Sequence, residues 1–198
     1  MQNIPSTIED EETLRRVYDK PASPGALRKC LDHLDAHARH FIGLSPFLVI
    51  ATSDGMASSD VSPRGGSAGH VIVLDDRHLL LPDLSGNNRL DSFYNILRFP
   101  WVGLLFFIPG MPETLRVNGR ASICTSTELL KHCAGKRLPK AGLLVEVNEM
   151  FLHCSRSVEL ASLWEPESWP DTAALPSPSR IFSDHIRQSS QAAGIAAR

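Results

Sequence analysis

In the stretch Phe47-Leu48-Val49-Ile50-Ala51-Thr52-Ser53-Asp54-Gly55, seven residues rich in apolar and β-branched side chains run into Asp-Gly. That dipeptide tolerates the positive φ values a tight hairpin turn requires, so a strand ends at Ser53 and the chain reverses. Met56 to Ser62 supplies the returning strand. Further on, His70-Val71-Ile72-Val73-Leu74 and His78-Leu79-Leu80-Leu81 flank the polar turn Asp75-Asp76-Arg77, which predicts a second hairpin stopped by Pro82. Together these signals predict four strands in a meander.

Trp101 to Ile108 reads as a strand without a polar face, and Pro109-Gly110 turns it into Thr114 to Ile123. Strict alternation there puts Thr114, Arg116 and Asn118 on one face and Leu115 and Val117 on the other. Ala141 to His153 reads as a long last strand. Residues 8 to 19 predict a polar helix, with Ser6 or Thr7 as its cap and Glu9, Asp10, Glu11 and Glu12 in the first turn. Ser23-Pro24 starts a second helix, with Leu27, Leu31, Leu34, Ala38 and Phe41 on one face. Asn88 to Leu97 predicts a helix burying Leu90, Phe93, Tyr94 and Leu97, Thr127 to Ala134 a short one, and Ser155 to Trp164 another, ending at Pro166. Pro170, Pro176 and Pro178, followed by the alanine-rich end, predict a tail that is mobile or wrapped on a partner subunit. Antiparallel runs with helices before, between and after them imply an α+β domain built on a small barrel, not a parallel βαβ sheet. Side chains fill the interior of so small a barrel, so a ligand belongs on its outside or at a subunit boundary, which favours a dimer.

The chain has 198 residues, 42% of them hydrophobic and 21% charged, enough for one core. A formal net charge of -2 provides no global basic field, so nucleic acid is not an expected partner. No apolar run approaches the roughly 20 residues that span a bilayer, and Met1-Gln2-Asn3-Ile4-Pro5 lacks the layout of a signal peptide. A cytoplasmic protein with no membrane partner is the expectation. Cys30, Cys124, Cys133 and Cys154 are widely spaced, which suits reduced thiols.

Two polar turns carry the functional signal. Ser62-Pro63-Arg64-Gly65 ends one strand and Ser85-Gly86-Asn87-Asn88-Arg89 opens a helix. A phosphate monoester near neutral pH wants arginine forks, amide or hydroxyl donors and helix-start N–H groups, and Arg64, Asn88 and Arg89 are that mixture. The pair predicts a phosphorylated cofactor gripped from two sides in one shared cleft. Taken singly, Ser85 or Asn87 is a helix cap and Arg64 a solvated turn residue.

In their order, Ser62-Pro63-Arg64-Gly65, Leu81-Pro82, Gly86-Asn87-Asn88-Arg89-Leu90, Phe107-Ile108-Pro109-Gly110, Thr114 to Ala121, His153-Cys154 and Leu163-Trp164 resemble the pyridoxamine 5'-phosphate oxidase-like FMN-binding split-barrel family, in an uncharacterised bacterial branch, over roughly residues 44 to 165. The resemblance implies an antiparallel split β-barrel of six to seven strands with flanking helices. It also implies a division into a helical extension over 1–43 packed on the barrel, an FMN-binding barrel over 44–165 and a Pro-rich tail over 166–198. FMN lies at a homodimer interface in this picture, and the protein is an oxidoreductase acting on an unidentified small molecule. The implied cofactor-binding residues are Ser59, Val61, Ser62, Arg64, Leu81, Pro82, Asn87, Asn88, Arg89, Thr114, Arg116 and Trp164, the last from the neighbouring chain. No catalytic acid or base is implied.

Departures from the family pattern sharpen the expectation. Asn87-Asn88 stands where the oxidases carry an Arg-Lys pair, so Arg64, Arg89 and Arg116 must compensate. Pro82 offers no backbone N–H. The oxidase-type segment that contacts pyridoxal substrate has no counterpart, which argues against pyridoxamine phosphate oxidation. Arg116 near the flavin's pyrimidine end would favour the reduced anionic form. Deazaflavin in place of FMN, a haem-binding or haem-degrading barrel using His70 or His153, and a cofactor-free binding protein stay open. His33, His37 and His40 have metal-ligand spacing but no convincing fourth ligand, and they read as a polar helix face. Ser58-Ser59-Asp60 lacks the Gly-x-Ser-x-Gly elbow of a hydrolase. The His153-Cys154 pair reads as structural.

Overall fold

The computed structural model describes residues 7–18, 20–84, 86–133 and 137–192. Ser6, Asp19, Ser85, Ala134 and 193–198, which entered the expectations above, lie outside the described residues. The chain forms two compact units, Met1–Arg156 and Ser157–Arg198.

In the first unit, seven strands form one antiparallel sheet: β1 Phe47–Ser53, β2 Ser59–Gly65, β3 Ile72–Val73, β4 His78–Pro82, β5 Trp101–Phe107, β6 Thr114–Cys124 and β7 Gly142–His153. Their spatial order is β2-β1-β5-β6-β7-β4-β3, and the two ends of this order are not paired, so the sheet stays open. This is the α+β split-barrel architecture. Both predicted hairpins form, but they sit at opposite edges of the sheet because β5, β6 and β7 come between them. The expected four-stranded meander is therefore corrected: the β1 partner missing from local sequence is β5, paired from Phe47↔Phe107 to Ala51↔Gly103.

Alternation on β1 buries Leu48, Ile50 and Thr52, and on β5 Val102, Leu104 and Phe106. The apolar ones among them, with Leu34, Phe41, Ile42, Leu115, Val117, Val145 and Val147, are part of the core, each full burial of a large apolar side chain contributing about 1.5–3 kcal/mol. A bulge between Asn118 and Gly119 interrupts the long β6–β7 ladder. A Cβ on Gly119 would sit 3.0 Å from the carbonyl carbon of Glu146, so that crossing requires glycine.

Helices α1 Glu11–Val17, α2 Pro24–Arg28, α3 Ala36–Leu44, α4 Asp91–Arg98, α5 Thr127–Leu130, α6 Arg156–Leu160 and α7 Pro178–Ala192 complete the set. Asp10, not Ser6 or Thr7, caps α1 by accepting the Thr13 N–H at 2.8 Å. The single helix expected from Ser23 to Phe41 is two. Between them Leu31 exchanges backbone hydrogen bonds with Met150 at 2.9 and 2.7 Å, and the Leu34 N–H reaches Asp76 at 2.7 Å. Backbone groups committed to the sheet cannot continue a helix.

The face of α4 is also corrected. It buries Ser92, Asn95 and Ile96; of the four residues expected there Phe93 packs against the core, while Leu90, Tyr94 and Leu97 are exposed. The polar pair is satisfied inside: Asn95 Nδ2 donates to the buried Thr52 Oγ1 at 3.0 Å, and Ser92 Oγ to Asp60 Oδ2 at 3.2 Å. In the second unit, the Pro-rich tail carries α7, whose Ile181, Phe182 and Ile186 are exposed.

Candidate functional site

A cleft of about 460 Å³ opens between β2, the end of β4 and the start of α4. Each wall follows from local chemistry. On β2, Asp60, Ser62 and Arg64 stand opposite the inward residues Thr52, Ile50 and Leu48, so they share the inner side of the pleat. Ser59 and Val61 pair with Ser53 and Ala51 on the outer side. Leu81 and Pro82 end β4, and the chain then crosses through Asp83 and Leu84 to the Gly86–Leu90 turn.

That turn is tightly built. Asn87 Oδ1 accepts the Arg89 N–H at 3.0 Å, and Asn88 and Leu90 have φ of 59° and 60°. A left-handed asparagine is common, whereas a left-handed leucine is strained. Leu90 is the N-cap of α4 and provides no side-chain hydrogen bond, so the first-turn N–H groups have no side-chain cap. Arg89 Nε is held by Asp91 Oδ2 at 2.8 Å, which raises the guanidinium above its ordinary range.

Arg64 is half-buried and braced at two points. It donates to the Pro63 carbonyl at 2.9 Å and to Ser92 Oγ at 3.1 Å. Asp60 Oδ2 accepts from both Ser92 and Ser62, at 3.2 and 3.1 Å, so the arginine, two hydroxyls and a carboxylate form one chain beneath the cleft. His70 also lines it. Its Nδ1 lies 3.2 Å from the Ser67 carbonyl, which only accepts, so the proton is on Nδ1 and the buried Nε2 has no hydrogen-bond partner among the described residues. Burial pushes this imidazole below its usual range. Gly66 makes room for the ring, since a Cβ there would meet His70 Cγ at 2.8 Å.

Seven of the twelve residues named from sequence thus share this cleft: Ser62, Arg64, Leu81, Pro82, Asn87, Asn88 and Arg89. Arg64 and the asparagine turn face the same space, although more than 20 residues of chain separate them. Arg116 lies elsewhere, in a groove of about 320 Å³ with Val49, Ala51, Gly103, Leu105 and Asn118. Its guanidinium is 5.2 Å from the Phe151 ring centre, and Asn118 Nδ2 donates to Glu149 at 2.8 Å. Thr114 is buried at the start of β6, opposite His153. Burial first, then Arg116 and Lys29, push His153 below its usual range. Trp164 is half-buried in the C-terminal unit. Sequence reasoning missed Asp60 and Ser92 as supports and Asp83 and Asp91 as lining. The one available signal was the polar pair Ser92 and Asn95, which flank Ile96 on one side of α4. Among the described residues, no group of three or more His, Cys, Asp or Glu side chains is placed to hold a metal ion. No helix among them is long and apolar enough to cross a membrane.

Chemically, the cleft combines a braced arginine, amide donors and an uncapped helix start with apolar walls from Leu48, Leu81, Pro82, Leu84, Leu90 and Phe93. Such a mixture suits an anionic group beside apolar surface.

No curated protein matches the sequence. Among solved structures, HupZ from Group A Streptococcus is similar at 18% identity, covering 60% of this chain and 92% of that one, with a TM-score of 0.46. An FMN-binding protein from Syntrophomonas wolfei is similar at 13% identity, with 72% and 96% covered and a TM-score of 0.45. General Stress Protein 26 from Bacillus anthracis is similar at 14%, with 59% and 93% covered and a TM-score of 0.43. The sequence model described as pyridoxamine 5'-phosphate oxidase matches residues 34–154, more than half of the chain. The match runs from the buried Leu34 through every strand of the sheet, and the chain belongs to the pyridoxamine 5'-phosphate oxidase family.

Proposed function

We propose that this protein binds FMN and works as a flavin-dependent oxidoreductase on a small molecule, as a homodimer. The observation that carries the reading is the convergence of Arg64 and the Asn87–Arg89 turn on one cleft with apolar walls. Arg64, braced by Ser92, would take the phosphate together with the Asn88 side chain and the α4 start. Leu81, Pro82 and Leu90 would flank the ring. When bound, flavin supplies hydride or electron transfer at N5, while the chain orients it, shields it from water and sets charge around it.

The outer face of the sheet supports the dimer. Phe47, Val61 and Trp101 on that face are 40%, 66% and 43% exposed, an apolar area suited to a second copy. Thr114, Arg116 and Trp164 would then serve the flavin of the assembled pair, together with the outward Ser59 and Val61. Titrating purified protein with FMN and following quenching of flavin fluorescence tests the reading, with size-exclusion chromatography reporting the dimer. Saturable quenching and flavin bands in the visible spectrum are the expected results. A Soret band in place of flavin bands, or no quenching at all, overturns it.

A further inference from the structure

We infer that the phosphoryl group this cleft is built to hold carries one negative charge, not two. The inference rests on the flavin reading above and sharpens it. Among the described residues, the charged groups lining the cleft are Arg64 on β2, Asp83 after β4, and Arg89 and Asp91 at the start of α4. Two cations are matched by two carboxylates. A third carboxylate, Asp60, stands one hydroxyl behind Arg64 through Ser92. His70, the remaining titratable group facing the cleft, is neutral at physiological pH because burial disfavours its charged form.

The cations are also unequal. Arg89 is 72% exposed with its Nε paired to Asp91, so solvent screens much of the charge its remaining N–H groups present. Arg64 is half-buried with two N–H groups committed, which leaves the rest of its fork for a ligand. One arginine fork with amide and backbone donors matches one charge. A dianion would bring a second charge beside Asp83 and Asp91 with only the exposed, ion-paired Arg89 to meet it. A phosphodiester, or a phosphomonoester retaining one proton, is what such a site accepts.

Three probes share one ring and differ in charge: riboflavin with none, riboflavin 4',5'-cyclic phosphate with one at all working pH values, and FMN with nearly two at pH 7.5. With a second pKa near 6, FMN is about 3% singly charged at pH 7.5 and about three-quarters so at pH 5.5, a limit of about 25-fold in affinity for a site taking only the monoanion. Fluorescence titrations of the intact protein are expected to show FMN tightening at least tenfold relative to the cyclic ester between pH 7.5 and pH 5.5. Repeating both titrations on His70→Gln separates out any contribution from His70 protonation, which would attract a dianion more strongly than a monoanion, and the shift in the ratio is expected to persist there. Asp91→Asn, which removes one negative charge without changing shape, is expected to raise FMN affinity at pH 7.5 about threefold and to leave the cyclic ester less affected. An FMN-to-cyclic-ester ratio that does not move with pH, or Asp91→Asn leaving FMN affinity unchanged, overturns the single-charge inference while the flavin reading stands. Failure of all three probes to bind overturns the flavin reading itself, and the inference falls with it.

Discussion

Replacing Arg64 with alanine removes the cation on which the proposed site depends. Its guanidinium spends one N–H on the Pro63 carbonyl at 2.9 Å and one on Ser92 Oγ at 3.1 Å, leaving three for a ligand. A hydrogen bond to a charged group contributes about 1.5–3 kcal/mol, so losing the fork should cost about 2–3 kcal/mol of FMN binding, or about 30- to 150-fold in Kd. Folding should suffer much less. Ser92 keeps its bond to Asp60 at 3.2 Å, and a loss of about 1 kcal/mol would lower Tm by about 2–4 °C. Arg64→Lys keeps the charge but cannot brace on Ser92 and grip a phosphate together, so an intermediate loss is expected. The assay is fluorescence titration with FMN and, in parallel, with riboflavin, which lacks the phosphate. FMN affinity within twofold of the parent, or an equal loss for riboflavin, would refute the assignment of Arg64 to the anionic tail.

Gly119→Ala should destabilise by about 2 kcal/mol or more, read as a Tm drop of at least about 4 °C, because the new methyl group meets the Glu146 backbone instead of a yielding side chain. Thr52→Val leaves the buried Asn95 amide without its acceptor and should cost about 1–3 kcal/mol in urea unfolding, whereas Thr52→Val with Asn95→Leu should recover much of it. His70 is neutral in the fold because burial lowers its pKa, so its contribution is full above pH 6.5 and declines as pH falls below that value; His70→Gln should flatten this part of the urea-midpoint profile. Asp54 accepts the N–H groups of Ser58, Met56 and Ala57 at 2.9–3.0 Å, which hold its carboxyl well below the usual range. Stability from that turn should be present above about pH 4 and be lost as pH falls further, and a carboxyl NMR titration of Asp54 checks it.

How much of this was legible follows from the range of the interactions. The reversal after Ser53, the strand alternation and the Ser23 cap of α2 are contacts within a few residues and were readable, although the loop runs over 54–58 and β2 starts at Ser59, three residues later than the expected Met56. The buried side of α4 was misread because large apolar residues set the pattern, while burial there follows hydrogen bonding to Thr52, Asp60 and Arg64 on other strands. The break between α2 and α3 was invisible for the same reason: its cause is Met150, far along the chain. In the cleft, the arginine and the asparagines were readable as phosphate-seeking types. The carboxylates that cancel much of their charge were not, since Asp60, Asp83 and Asp91 look like ordinary turn and cap residues until the strands are paired.

The residues alone determined the kinds of element, the antiparallel class, the family and the donors suited to an anionic tail. Each of these depends on side-chain type and on neighbours within one or two turns, where spacing along the chain equals spacing in space. Only the folded sheet decided that the two hairpins lie at opposite edges, that Ser62 and Arg64 share a cleft with Asn87 and Asn88 while Val61 points away, and that the cleft is close to charge-balanced. Those outcomes depend on β5, β6 and β7 being inserted between the hairpins, and on pairings whose partners are tens of residues apart.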